Sequence, residues 1–174
     1  MLNALISSKT RIKLLLKFFL NPASKSYLRG LEAEFGESSN AIRLELNRFE
    51  DAGLLLSYMD GNKKMFSANT KHSLFSPLQN LIRSYVGIDH LIEYVIENLG
   101  DINAVYLTGD FARGIESNVI EISIVGDKID QSYLSKLTKK AESFLKRKIR
   151  YAVYGVGEWE RLQQDDDVLL VYSR

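Results

Sequence analysis

The residues with the most chemistry to offer stand in one run, "YLTGDFARGIESNVIEISIVGD", Tyr106 to Asp127. It reads as a strand, a glycine turn and a second strand. Gly109 and Gly114 allow a backbone to approach phosphate oxygens. Asp110, Glu116 and Glu121 are the carboxylates on offer to hold a cation beside them. The chemistry this suggests is metal-assisted handling of a triphosphate. The chain has no cysteine, which excludes disulfides and thiolate metal sites, and its two histidines are too few for a histidine zinc cluster.

A second group of candidates lies earlier, in "ESSNAIRLELNRFEDAG". Ile42, Leu46 and Phe49 recur at helical spacing and predict a buried stripe. Asn40, Arg43, Leu44 and Asn47 then share the opposite face. Asn and Arg make paired hydrogen bonds to base edges in a major groove, and Leu44 suits a thymine methyl. The plainer reading is a solvated helix face with a half-buried leucine. Ser38 and Ser39, at the helix start, suit phosphate contacts or capping. Asp60-Gly61-Asn62 predicts a tight hairpin turn, which places Lys63 and Lys64 to meet backbone phosphates. Glu45 and Glu50 do not spoil such a surface if they point sideways.

The elements that must position these residues follow from pattern. At 174 residues the chain holds one ordinary domain or two small ones, and 45% apolar residues suffice for packed cores. No apolar run approaches the roughly 20 residues of a membrane span. Lys13 and Lys17 interrupt the apolar start and no small-residue cleavage site follows, so a soluble, cytoplasmic protein is expected rather than a signal peptide. The net charge of +1 is uneven: residues 1–70 carry ten Lys/Arg against seven Asp/Glu, and the remainder thirteen against fifteen. The positive excess tilts nucleic-acid contact toward the first part.

Ile12, Leu15, Leu16, Phe19 and Leu20 form one helical stripe, stopped at Asn21-Pro22. A second helix is expected from Ser24 or Ser26 as N-cap, burying Leu28, Leu31 and Phe35 and ending at Gly36. The third ends near Gly53. Three short helices and a hairpin are the layout of a winged helix-turn-helix. Ser76-Pro77 reads as a cap and first turn. Leu78, Leu81, Ile82, Tyr85 and Val86 follow as one stripe to Gly87, and Ile88, Leu91, Ile92, Val95, Ile96 and Leu99 as another to Gly100. Further on, Leu134, Leu137, Ala141, Phe144 and Leu145 predict one buried helix face. "RKIRYAVYG" predicts a strand, and the tail "GVGEWERLQQDDDVLLVYSR" a final helix with Trp159 as core anchor. The basic run Lys146, Arg147, Lys148 and Arg150 reads as a solvated helix end, with contact to DNA or a phosphate ligand as the functional alternative.

"SSNAIRLELNRFEDAGLLLSYMDGNKKMFSAN" resembles the recognition helix and wing of ArsR-type winged-helix transcription regulators, and the likeness covers residues 5–70. It implies DNA binding and a two-fold partner for two half-sites. "INAVYLTGDFARG" resembles the start of a minimal nucleotidyltransferase domain. In that superfamily a strand ends in Gly-Ser, an Arg and a Gly follow, and the next strand carries Asp-x-Asp. Here Gly109, Arg113 and Gly114 match, Glu121 matches in part, Asp110 replaces the serine, and Val119 stands at the first Asp position. The later strand has no acid. A valine supplies no metal ligand, one glutamate cannot support two-metal chemistry, and Asp110 would repel a triphosphate.

The expectation is therefore a mixed α+β protein. Its parts are a winged helix-turn-helix over residues 1–70, bridging helices over 71–100, and a degenerate nucleotidyltransferase-like α/β domain over 101–174. It would read DNA with the helix around 38–52 and the wing around 54–68. The second domain would serve dimerisation, sensing of a small molecule or binding of a protein effector. No catalytic residue, metal or cofactor is expected. The alternative is an active nucleotidyltransferase acting on a protein, RNA or small molecule through Asp110 and Glu121.

Overall fold

The apolar stripe of the first long helix is buried on almost every side. In the computed structural model, which describes residues 2–162 and 168–174, a short α1 (Leu2–Leu5) precedes α2 (Lys9–Leu15). A π-helical turn, Leu16–Leu20, continues α2. Leu14, Leu16, Phe18 and Phe19 are fully buried together with Ile12, Leu15 and Leu20. Lys9, Lys13 and Lys17 share one polar face, and the apolar residues of the helix belong inside a core. Each such side chain contributes about 1.5–3 kcal/mol of burial.

The chain forms two compact units, Met1–Tyr85 and Val86–Arg174. In the first, α3 (Leu28–Phe35), α4 (Ser39–Asp51) and the hairpin β2 (Leu55–Asp60) and β3 (Lys63–Ala68) follow in order. Gly61, at φ +57, takes the first central position of the two-residue turn between paired Asp60 and Lys63. That conformation is strained for any side chain and suits a glycine. A segment expected to cap a helix is instead strand β1 (Lys25–Tyr27), antiparallel to β3, giving the sheet order β1-β3-β2. Neither Ser24 nor Ser26 caps α3. Ser26 is buried opposite Phe66, and Tyr27 occupies the cap position without a side-chain bond. Of the residues expected to be buried by α3, Leu31 is buried, whereas Leu28 and Phe35 are half-buried. The helix α5 (Phe75–Val86) starts one residue before the expected Ser76 cap. Pro77 lies in its first turn, where a missing N–H breaks no helical bond. Phe75 packs on Phe19, ring centroids 5.7 Å apart.

In the second unit α6 (Ile88–Leu91) runs into a π-helical turn, Ile92–Ile96. A mixed sheet follows in the order β6-β5-β4-β7. Its strands are β4 (Ala104–Thr108), β5 (Val119–Val125), β6 (Lys148–Tyr154) and β7 (Leu169–Ser173). A short helix, α7 (Gly109–Ala112), fills the glycine turn between β4 and β5. The long α8 (Gln131–Leu145) makes the crossover between parallel β5 and β6. The tail is not a single final helix. Within it α9 (Val156–Leu162) is helical, residues 163–167 lie outside the described residues, and β7 closes the sheet against β4. Trp159 is buried, with ring centroids 4.7 Å from Tyr106 and 5.3 Å from Tyr154. Phe144, expected inside, is 66% exposed, and the buried stripe of α8 is Leu134, Thr138 and Ala141. No helix among the described residues is long and apolar enough to cross a membrane.

Candidate nucleic-acid interface and the glycine-turn site

Helix α4 starts where its serines direct. Ser38 is the N-cap, its Oγ accepting from the Ala41 amide at 3.3 Å, and Ser39 opens the first turn. Ile42, Leu46 and Phe49 are buried. Asn40, Arg43, Leu44 and Asn47 are exposed together on the far side. Glu45 departs from the polar pattern. It is turned inward, only 5% exposed, and takes hydrogen bonds from Arg11 Nε at 2.9 Å, Arg48 Nη1 at 2.9 Å and Ser8 Oγ at 3.3 Å. Burial pushes its carboxyl up, but the hydrogen bond and charge of Arg11, with Arg48 and Ser8, outweigh this and hold it below the usual carboxylate range. The network ties α2 to α4. Glu50 accepts from Lys64 Nζ at 2.6 Å and from Ser57 Oγ, and so joins the end of α4 to the hairpin.

Between the start of α3, the exposed side of α4 and the hairpin runs an open groove of about 920 Å³. Arg29, Arg43, Asn47, Asn62, Lys63 and Lys64 are among its lining residues, with Asp60 as its carboxylate. Arg29 and Arg43 have no hydrogen-bond or ion-pair partner among the described residues. Lys63 lies over the Tyr27 ring, 4.5 Å from its centroid, a contact that leaves its charge uncancelled. Several other cations of the same unit are matched: Arg11 with Glu45, Lys13 with Glu37 at 2.6 Å, and Lys17 with Glu34 at 3.0 Å. Lys64, grouped with Lys63 in the sequence, is held by Glu50 instead. Sequence pattern did not single out Arg29 or Tyr27. The available signal was a basic residue opening α3, which gains meaning only once α3 is seen to begin beside the hairpin.

The glycine turn is built differently. Gly109 sits at φ +64 and Gly114 at φ +74. Thr108, Glu121 and Arg150 stand side by side across β4, β5 and β6. The Glu121 carboxylate lies so close over Gly109 that a β-carbon there would overlap its Oε2. The room that glycine leaves is thus filled by an acid. Arg150 donates to Glu121 Oε1, and Arg113 pairs with Asp110 at 2.7 Å. Val119 opens β5 without an oxygen to offer. In the nearby basic run, Arg147 donates to the Ser117 carbonyl, lies 5.1 Å from the Phe111 ring centroid and faces Glu116 at 3.7 Å. Lys148 pairs with Glu142 at 3.2 Å. The run is therefore not a solvated helix end: Lys146 caps α8, Arg147 is largely buried, and Lys148 and Arg150 belong to β6.

No protein-family model and no curated protein matches the sequence. Among solved structures, HlyU from Vibrio cholerae N16961 is similar at 12% identity and TM-score 0.38, over 48% of this chain and 82% of that one. A predicted DNA-binding transcriptional regulator from E. coli is similar at 22% identity and TM-score 0.37, over 48% and 83%. A Sulfolobus solfataricus protein assigned as a nucleotidyltransferase is similar at 22% identity and TM-score 0.39, over 57% and 88%.

Proposed function

We propose that the chain is a DNA-binding transcriptional regulator that reads duplex DNA with α4 and the β2–β3 hairpin. One observation carries this reading: Arg29, Arg43 and Lys63 converge on an open groove without ion-pair partners, while Arg11, Lys13 and Lys17 of the same unit are ion-paired. A polyanion can exchange its counterions for such a cluster without breaking any internal ion pair. Arg43, Asn40 and Asn47 reach base edges, with Leu44 against a thymine methyl. Ser38, Ser39, Arg29 and Lys63 meet phosphates and fix register. The Lys64–Glu50 pair braces the hairpin on α4. The protein acts as a homodimer on two half-sites.

The second unit serves as a non-catalytic partner for dimerisation, sensing or effector binding. Three features support its inactivity: the missing oxygen at Val119, the Glu121–Arg150 pair over Gly109, and the Asp110–Arg113 pair. Selection of bound sequences from a random duplex pool, followed by titration across salt, tests the DNA reading. A shared sequence is expected, with affinity falling at a log–log slope of about −0.9 for each contacted phosphate. Binding that is weak and indifferent to salt would overturn it. Incubation with labelled nucleoside triphosphates, magnesium or manganese and candidate acceptors tests the second unit. Label transfer that disappears in Glu121→Gln would show an enzyme.

A further inference from the structure

Within the second unit, α8 has more apolar surface than its own core uses. Leu134, Thr138 and Ala141 face inward and are buried. Tyr133, Leu137, Lys140 and Phe144 recur at helical spacing and form a neighbouring stripe, on which Tyr133 is 43% and Phe144 66% exposed. Phe144 meets Tyr94 of the π-helical turn edge-on, centroids 5.7 Å apart, and Lys140 Nζ sits 5.2 Å from the Tyr94 ring centroid. Together with His90, Glu93 and Leu145 these aromatics line a groove of about 330 Å³. The rims carry opposite charge. Exposed Lys136 and Lys140 stand on the α8 side, and exposed Glu93 and Glu97 on the other.

An aromatic patch with one basic and one acidic rim is complementary to itself after a half-turn, which is the requirement for an isologous contact. We propose that a second copy of this chain covers this groove. Phe144 and Tyr94 of each copy pack around the two-fold axis, and the lysine rim of each faces the glutamate rim of the other. Exposed aromatics at the centre with charges at the edge are the anatomy of such interfaces. This rests on the dimer reading given under Proposed function and supplies the surface for it.

Sedimentation velocity of the full chain at micromolar concentration tests the surface. The parent should sediment at twice its 19.8 kDa mass. Phe144→Glu should weaken the dimer by about thirtyfold or more, the range of a central aromatic anchor. Because Phe144 is exposed, its far-UV circular dichroism should match the parent's. Lys136→Glu with Lys140→Glu should also weaken association, and adding Glu93→Lys with Glu97→Lys should restore it. A parent dimer that persists through Phe144→Glu and through the charge reversal overturns this surface and leaves the dimer reading standing. A parent that stays monomeric overturns both.

Discussion

The two units handle charge in opposite ways. Around the groove of the first, Arg29, Arg43 and Lys63 point at one open space, and no carboxylate among the described residues answers them. Around the glycine turn of the second, the nearby charges are answered from within: Glu121 by Arg150, Asp110 by Arg113, Glu116 by Arg147. An unanswered cluster binds a polyanion by releasing the polyanion's own counterions. An answered one must first give up its internal ion pairs. Neither cationic residues near a glycine turn nor a modest net charge tells by itself whether a cation is free to meet a phosphate. Pairing decides, and pairing is a tertiary property.

The contrast is open to direct attack. The largest effect is expected from Arg29→Ala, Arg43→Ala and Lys63→Ala combined. Specific affinity should fall by at least about a hundredfold, and the salt slope should flatten by about 0.9 for each phosphate that is no longer neutralised. The matching pair in the other unit, Arg113→Ala with Arg150→Ala, should leave affinity where it was. Fluorescence anisotropy over a range of salt separates the two, and equal losses would erase the distinction between the units.

Next comes the brace behind α4. Glu45→Gln should destabilise the first unit by about 1–3 kcal/mol, because Arg11 is deprived of a charge-assisted partner beside a buried position. Since the folded carboxyl is held below its unfolded value of about 4.3, its stabilisation is complete above that pH and disappears as pH falls through the lower, folded value. Stability plotted against pH should be flatter for the variant than for the parent across that acid window. An unchanged acid profile would mean Glu45 does not hold α2 to α4.

Arg43→Ala alone should cost roughly 1–3 kcal/mol of specific binding and relax sequence choice, whereas Lys63→Ala should weaken every sequence alike. Competition with shuffled duplexes reads the difference. The smallest effect is expected at Lys64. Its partly exposed pair with Glu50 is worth about 0–1 kcal/mol, and Lys64→Ala should cost less DNA affinity than Lys63→Ala in the same titration. A larger loss at Lys64 would show that Glu50 releases it to a phosphate on binding.

Much of the first unit was legible. The buried stripe of α2, the Ser38 cap, the inward Ile42, Leu46 and Phe49, and the turn at Gly61 are all local patterns in which neighbours in sequence are neighbours in space. What failed was non-local. Lys25–Tyr27 has no strand periodicity of its own and is a strand because β3 lies beside it. The end of the tail becomes β7 for the same reason, through β4. Glu45 reads as part of a polar helix face, and only Arg11, far away in sequence, explains its burial. Phe144 fits an inward stripe by spacing, yet the buried stripe runs through Leu134, Thr138 and Ala141, with Thr138 donating to the Leu134 carbonyl at 3.0 Å.

Amino-acid order alone determined the buried stripes of α2 and α4, the Ser38 cap, the turn at Gly61 and the absence of oxygen at Val119, since these depend on local periodicity, backbone preference and side-chain identity. Only the tertiary structure decided which charges remain available, because each ion pair joins segments distant along the chain: Arg11 with Glu45, Lys64 with Glu50, Arg150 with Glu121. It also brought Arg29 of α3 and Arg43 of α4 to one groove beside Lys63. Chain folding, by bringing carboxylates to some cations and none to others, set which cations around that groove stay unpaired.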